Sequence, residues 1–519
     1  MQNTFVFLTT SVLALGGFGQ PVANAEILIP TTPGSAPDYF CTWNVQGYVL
    51  NYAKGKLRDA MTEDNMFGSR KYQGWVNFYP RIRSDLYFVM DDSWDVDFKN
   101  YDYGTDLLNP VRFPTYATSG TEQEKFKKLN TAVQAKGWRA VGGWIAANKA
   151  KAYKDMSDHD FYAERLKWME AAGWGYLKVD WGTNSKDEKW RRQLTEWGHQ
   201  YAPNIHVEQA MVWSCVPFAD AFRTYDIEVI TSIPVTLSRV CDGIKQVAEP
   251  GAKALINCED EPVIGAALGC AIGIMRHPFV GNLPSGEQDY AFPPVARDVK
   301  RSLNEVERGV LWHRVAPPFK VDGLVDIDET KLNDSWCFQE REGWATKTPG
   351  KWSKNSAPAR ITRGGLPLPT VKADSAEPPF VIASRHPNGA LTIATLGRTI
   401  CASPTDRKYG TPLADITLNA GKLTGPIGIF GHYRTLTLTF DVPMKGRSIL
   451  AQDILDKQAK NITGQVIIKD NTITLPGNLI DRIGLERADP GDKSDPGMVI
   501  SISGAERPAQ SLPGNEGGN

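Results

Sequence analysis

Five short apolar runs in this chain end in acidic residues: Asp91 with Asp92, Asp180, Glu208, Asp226 and Asp260. One aspartate after an apolar run is an ordinary turn or helix-cap residue. Five such placements in succession predict a ring of carboxylates. Such a ring suits two chemistries. Paired carboxylates serve as nucleophile and acid/base on a glycosidic bond, or a group of three holds a divalent metal that stabilises an enolate. Lys178 lies two residues before Asp180, so on a strand both side chains share a face, and the cation keeps Asp180 ionised as a nucleophile requires. Arg223 is three residues before Asp226 and off its face, which leaves Asp226 able to keep a proton and donate it. The metal chemistry instead asks for three carboxylates clear of lysine, with Asp180, Glu208 and Asp226 as the candidate ligands.

The elements that must position these groups are short. Strands are predicted over 40–48, 86–92, 138–146, 175–181, 205–209, 221–227, 254–258 and 272–275. Between them, segments such as 121–135 and 160–172 carry apolar residues at helical spacing. This alternation predicts an α/β fold, a (β/α)8 TIM barrel over residues 26–320 whose strand C-termini carry the carboxylates. No G-x-G-x-x-G or Walker-type loop supports a doubly wound sheet. A Pro-rich linker or barrel-capping loop is expected over 321–379. An antiparallel β-sandwich follows over 380–503, and a disordered tail over 504–519.

With 58 basic and 59 acidic residues in 519, the net charge is −1, which offers no basic face to nucleic acid. The 15 Trp, 17 Tyr and 20 Phe include Trp94, Trp144, Trp181 and Trp213 near strand ends, where stacking on a sugar and core packing are equally open. Phe5 to Phe18 is an apolar run too short for a membrane span, and Ala23-Asn24-Ala25 follows it as a small-x-small cleavage site. Residues 1–25 therefore read as a signal peptide, and the mature chain as secreted or periplasmic. No later stretch reads as a membrane span. Seven scattered cysteines form no Cys-x-x-Cys pair, so they read as buried small residues rather than a zinc site or disulfide framework. No Ser-His-Asp or His-Glu-x-x-His pattern is present. Nothing in the sequence specifies an oligomeric state.

Taken together, several segments resemble clan D glycoside hydrolases of the α-galactosidase and α-N-acetylgalactosaminidase type. Gly175-Tyr-Leu-Lys-Val-Asp180 is similar to their nucleophile strand. Val89-Met-Asp91-Asp92-Ser-Trp94 resembles their Asp-Asp-x-Trp motif, and Phe222-Arg223-Thr-Tyr-Asp226-Ile227 the acid/base segment. Asp260-Glu-Pro-Val-Ile-Gly265 resembles the seventh-strand segment, and Cys41-Thr-Trp43-Asn44 the first-strand Trp-Asn. The resemblance implies a retaining exo-α-glycosidase with a barrel and β-sandwich, acting on a carbohydrate without cofactor or metal. Asp180 would be its nucleophile and Asp226 its acid/base. Trp43, Asp91, Asp92, Lys178, Glu208, Arg223 and Asp260 would hold the sugar. The chain departs from the family pattern in having Ser93 where a cysteine is usual and Trp181-Gly182 where an Asn-Cys pair is usual. Its Arg223–Asp226 spacing is three where the family has four, and His206-Val-Glu208-Gln209 replaces a Cys-Glu-Trp segment that shapes the 2-position pocket. Galactose leads among the sugars; N-acetylgalactosamine, β-L-arabinopyranose and glucose stay open. Two other readings remain: a metal-dependent barrel enzyme on a sugar acid, and a non-catalytic carbohydrate-binding protein.

Overall fold

The structure is a computed structural model. It describes residues 26–50, 57–210, 212–224, 233–289, 297–320, 323–339, 351–374, 377–403 and 406–505. The expected signal peptide, Asp226, and the tail beyond residue 505 lie outside the described residues.

Strands β1 (Tyr39–Cys41), β2 (Tyr87–Met90), β3 (Ala140–Ile145), β4 (Tyr176–Val179), β5 (His206–Ala210), β6 (Ala221–Arg223), β7 (Leu255–Asn257) and β8 (Gly273–Ile274) are all parallel. They pair in the order β7-β6-β5-β4-β3-β2-β1-β8. A parallel bridge between Asn257 and Ala271 joins β7 to the residues entering β8 and closes the ring. The fold is a (β/α)8 barrel. Every strand lies within a predicted one or within a residue of it, but the first is much shorter than expected. Residues Trp43–Leu50 form a helix instead, started by Gln46 N–H donating to the Thr42 carbonyl at 2.9 Å. A segment whose middle, Asn44 to Tyr48, is buried shows no clear period to separate strand from helix, which is why the sequence reads as one long strand.

The helices cap as their sequences direct. Glu122–Gln134 begins with a Thr121–Glu124 capping box, and Asp158–Ala171 with a Ser157 cap. Inside the ring, alternation sends every second residue inward. Tyr39, Cys41, Tyr87, Val89 and Tyr176 pack together there. Lys178 stands beside Glu208 in register, and Arg223 beside Asn257.

Beyond the barrel helix Leu303–Trp312 the chain becomes β-rich. The 321–379 segment is not a linker: it holds strands at Val325–Ile327, Lys331–Gln339, Lys351–Pro358, Arg360–Arg363 and Thr370–Ala373. Prolines at strand ends and in turns explain the misleading composition. Val325–Ile327 and Arg360–Arg363 extend the same eight-stranded sheet as Phe380–Arg385, so this domain starts well before residue 380. That sheet packs on a five-stranded one. Pairing is mostly antiparallel, with parallel contacts at 360–363/380–385, 391–396/427–430 and 415–421/435–440.

The larger sheet is buried on both faces. Val381, Ala383, Leu391 and Ile393 point into the sandwich core. Phe380, Ile382, Ala394 and Leu396 point the other way and belong to the barrel's core. Trp312 Nε1–H donates to Thr392 Oγ1 at 2.8 Å across this junction. A Cβ on Gly428 would stand 2.8 Å from the Trp312 ring, so the close approach requires glycine there. The sandwich is thereby fastened to the barrel. Among the described residues no helix is long and apolar enough to cross a membrane.

Candidate active site

The inward side chains at the strand C-termini form one buried charged cluster. Asp180 follows β4 directly. Trp144 Nε1–H on β3 donates to its Oδ2 at 3.1 Å, and Arg223 Nη2 on β6 lies 3.2 Å from the same oxygen. Its Oδ1 is buried and, among the described residues, has no hydrogen-bond partner. Burial works against the charge on Asp180. Arg223 first, then Lys178 and the Trp144 N–H, outweigh burial and hold the carboxyl below the ordinary aspartate value. Arg191 fixes the backbone here by donating to the Asp180 carbonyl at 2.7 Å. The next turn needs Gly182, whose φ is +148° and whose Cβ, if present, would meet Ala147 N at 2.7 Å.

Lys178 reaches Asp91 rather than Asp180: its Nζ donates to Asp91 Oδ2 at 2.9 Å. The Cys41 thiol donates to the same oxygen at 2.9 Å. Burial opposes the charge on Lys178, yet Asp91 leads the groups that hold it protonated above the usual lysine range. Asp92, next to Asp91 in the chain, points to the other side, and Ser93 after it has φ +83°. Ser93 Oγ donates to Asp92 Oδ1 at 2.7 Å, and Arg58 Nε pairs with Oδ2 at 3.0 Å. Burial still pushes the Asp92 carboxyl up to about 7, against the pull of Arg58. The Arg58 guanidinium lies 5.0 Å from the Tyr103 ring and 5.5 Å from that of Trp181. Those rings, with Trp144, make an aromatic wall beside Asp180.

Glu208 lies deeper, at 0% exposure. Arg223 Nε (3.2 Å) and Tyr39 OH (3.5 Å) approach Oε1, and Tyr176 OH (2.8 Å) and Asn257 Nδ2 (2.6 Å) donate to Oε2. Burial first, and Glu208 next, keep both tyrosines protonated, so they stay donors. Trp43 opens the helix after β1 and is half-buried at the cluster's edge.

Asp260 does not join this group. Its carboxylate accepts from the Met275 and Arg276 amides and from Arg276 Nε at 3.2 Å, within a buried network that also holds Glu305, Glu261 and Arg297. It ties the β7 loop to the end of β8. Its expected place is taken by its neighbour Glu259, whose Oε1 is 3.9 Å from Lys178 Nζ and accepts from Tyr39 OH at 3.3 Å. Strand parity could have found it: Asn257 faces inward, so the residue two further on does too. Tyr39, Tyr176, Cys41 and Arg58 were likewise not singled out. Nothing local marks Arg58, which arrives from a separate turn at Leu57–Ala60.

The five described cysteines that are resolved as thiols, at 41, 215, 241, 258 and 270, are free and buried. Among the described residues no three His, Cys, Asp or Glu side chains could hold a metal.

No protein-family model matches the chain, and no curated protein matches it in sequence. Solved structures do. α-Galactosidase I from Mortierella vinacea overlaps 91% of this chain and 98% of its own, at 11% identity and a TM-score of 0.37. A β-L-arabinopyranosidase from Geobacillus stearothermophilus overlaps 92% and 98%, at 10% identity and 0.41. The Saccharomyces cerevisiae α-galactosidase overlaps 92% and 98%, at 9% and 0.34. The chain is similar to these α-galactosidase-type structures. The overlaps are loose, and the fold assignment rests on the strand pairings.

Proposed function

We propose that this protein is an exported retaining exo-α-glycosidase, α-galactosidase-like, that uses Asp180 as its nucleophile. The observation that carries the reading is the asymmetry of the Asp180 carboxylate. One oxygen is held by Trp144 and Arg223, and the other is bare and buried at the barrel's C-terminal face. A charged oxygen left without a donor in a protein interior is costly unless a reacting atom uses it.

In the reaction, Asp180 Oδ1 attacks the anomeric carbon while the glycosidic C–O bond breaks, and Asp226 gives its proton to the departing oxygen. Asp226 then takes a proton from water, whose oxygen displaces Asp180 and releases the sugar with its configuration retained. Asp226 lies outside the described residues, so its role rests on sequence alone. Asp91, Asp92 and Lys178 are the candidate holders of sugar hydroxyls, with Trp43 at the pocket's edge. A metal-dependent reaction through Asp180 and Glu208 meets an obstacle: the Arg223 guanidinium already bridges the two carboxylates.

The test is release of nitrophenol from aryl α-galactoside, α-N-acetylgalactosaminide, β-L-arabinopyranoside and α-glucoside, with and without EDTA. Turnover of one of them, unaffected by EDTA, is expected. Turnover abolished by EDTA, or sugar binding without any turnover, overturns the reading.

A further inference from the structure

We infer that Glu208 is a positioning residue that acts on Asp180 through the Arg223 guanidinium, rather than a sugar contact. The inference rests on the proposed function in taking Asp180 as the nucleophile. Its own support is geometric. A carboxylate offers about four acceptor sites, and three Glu208 sites are taken, by Arg223 Nε on Oε1 and by Tyr176 OH and Asn257 Nδ2 on Oε2, while the single Tyr39 proton lies between Glu208 Oε1 at 3.5 Å and Glu259 Oε1 at 3.3 Å. The side chain has no exposed surface. A sugar hydroxyl would find no path to it. What Glu208 does touch is the edge of the cation whose Nη2 faces Asp180.

One guanidinium thus serves two carboxylates. Nε is spent on Glu208, which fixes the plane of the group and leaves Nη2 as an ion pair 3.2 Å from Asp180 Oδ2, without a hydrogen bond. Glu208 also draws on the charge of Arg223, so Asp180 stays ionised without being stabilised by that cation alone. A nucleophile needs both: a less basic carboxylate attacks more slowly. The other charged or polar groups facing this pair are Lys178 on β4, Arg191 from the helix Glu188–Tyr201, Trp144 on β3 and Glu259 beyond β7. None of them links the two carboxylates directly.

Two readouts separate a positioning role from a sugar contact. The first compares wild type with Glu208→Gln on an aryl glycoside that is turned over and on its 2-deoxy counterpart. Loss of kcat by about tenfold with KM little changed, by the same factor on both substrates, is expected. A defect that vanishes on the 2-deoxy substrate shows direct contact with the 2-hydroxyl and overturns the inference. The second follows Asp180 itself in the substrate-free protein by 13C NMR of labelled aspartate, assigned through Asp180→Asn. Removing a carboxylate that shares Arg223 moves the Asp180 midpoint downward, by about half a unit or more. An unchanged midpoint, or an upward shift from a loosened guanidinium, overturns the inference. Glu208→Asp, which keeps the charge but withdraws it by one methylene, serves if the glutamine variant does not fold, with a smaller shift in the same direction expected. The NMR arm needs no turnover. An inactive wild type therefore counts against the proposed function, while the titration still decides the role of Glu208.

Discussion

Two buried arginines mark the difference between the barrel mouth and the junction with the sandwich. Arg308 joins Asp453 through Nε at 3.1 Å and Nη2 at 3.0 Å, a two-pronged pair between the last barrel helix and the sandwich. The remaining Asp453 lone pairs accept the Leu455 and Arg487 amides, both at 2.9 Å. Every acceptor is closed. Arg223, buried as deeply, is divided between two carboxylates, and one oxygen of Asp180 is left open. A buried ion pair that serves architecture satisfies itself, because any unpaired atom costs stability. A cluster that serves chemistry holds atoms in reserve, here Asp180 Oδ1 and Arg223 Nη2.

The comparison predicts opposite outcomes for the two sites. Asp180→Asn abolishes turnover, by about three to four orders of magnitude in kcat, and leaves the thermal transition close to wild type. Asp453→Ala strands Arg308 without its partner and costs about 3–5 kcal/mol of stability, while kcat/KM of the surviving folded protein stays within about threefold of wild type. If Asp453→Ala loses activity before it loses stability, the junction is not merely architectural and the contrast breaks. Lys178→Met sharpens the contrast further. It lowers kcat/KM by about ten- to a hundredfold. It also moves the acid limb of the pH profile upward, because Asp180 loses the second of the cations that hold its carboxyl low.

The smallest effect expected is at Asp92. Its folded-state value of about 7 stands above the ordinary aspartate value near 3.9, so between those pH values the folded protein binds more protons than the unfolded chain. The contribution of Asp92 to stability is therefore full below about pH 4 and declines as pH rises to about 7. Asp92→Asn removes the decline. Its Tm relative to wild type should rise by on the order of 4 °C between pH 4 and pH 8 in thermal melts.

Much of the barrel was legible because its strands are short apolar runs spaced by helices with standard caps. Strand parity put Lys178 and Asp180 on one face, while Asp91 and Arg223 entered the expected site through the family resemblance. Other features were not legible, for definable reasons. Trp43–Leu50 has no polar face because its middle, Asn44 to Tyr48, is buried. The strands between 325 and 373 hide behind prolines that sit at their ends. Asp260 and Glu259 are adjacent acids, and only the phase of β7 decides which one faces the pocket. Arg223 was expected clear of Asp226, but its pairing with both Asp180 and Glu208 depends on three strands lying side by side, which no local spacing encodes. Arg58 is farther still from local rules: it meets Asp92 from a turn 34 positions earlier in the chain.

The central claim is that the bare oxygen of Asp180 forms a bond to the sugar. It is tested most directly by reacting the protein with a slow fluorinated donor of whichever sugar it turns over, and mapping the adduct by mass spectrometry after digestion. A single glycosyl ester on the peptide carrying Asp180, absent in Asp180→Asn, is the result predicted. A stable adduct on another carboxylate, or turnover with inverted configuration and no adduct, would contradict it.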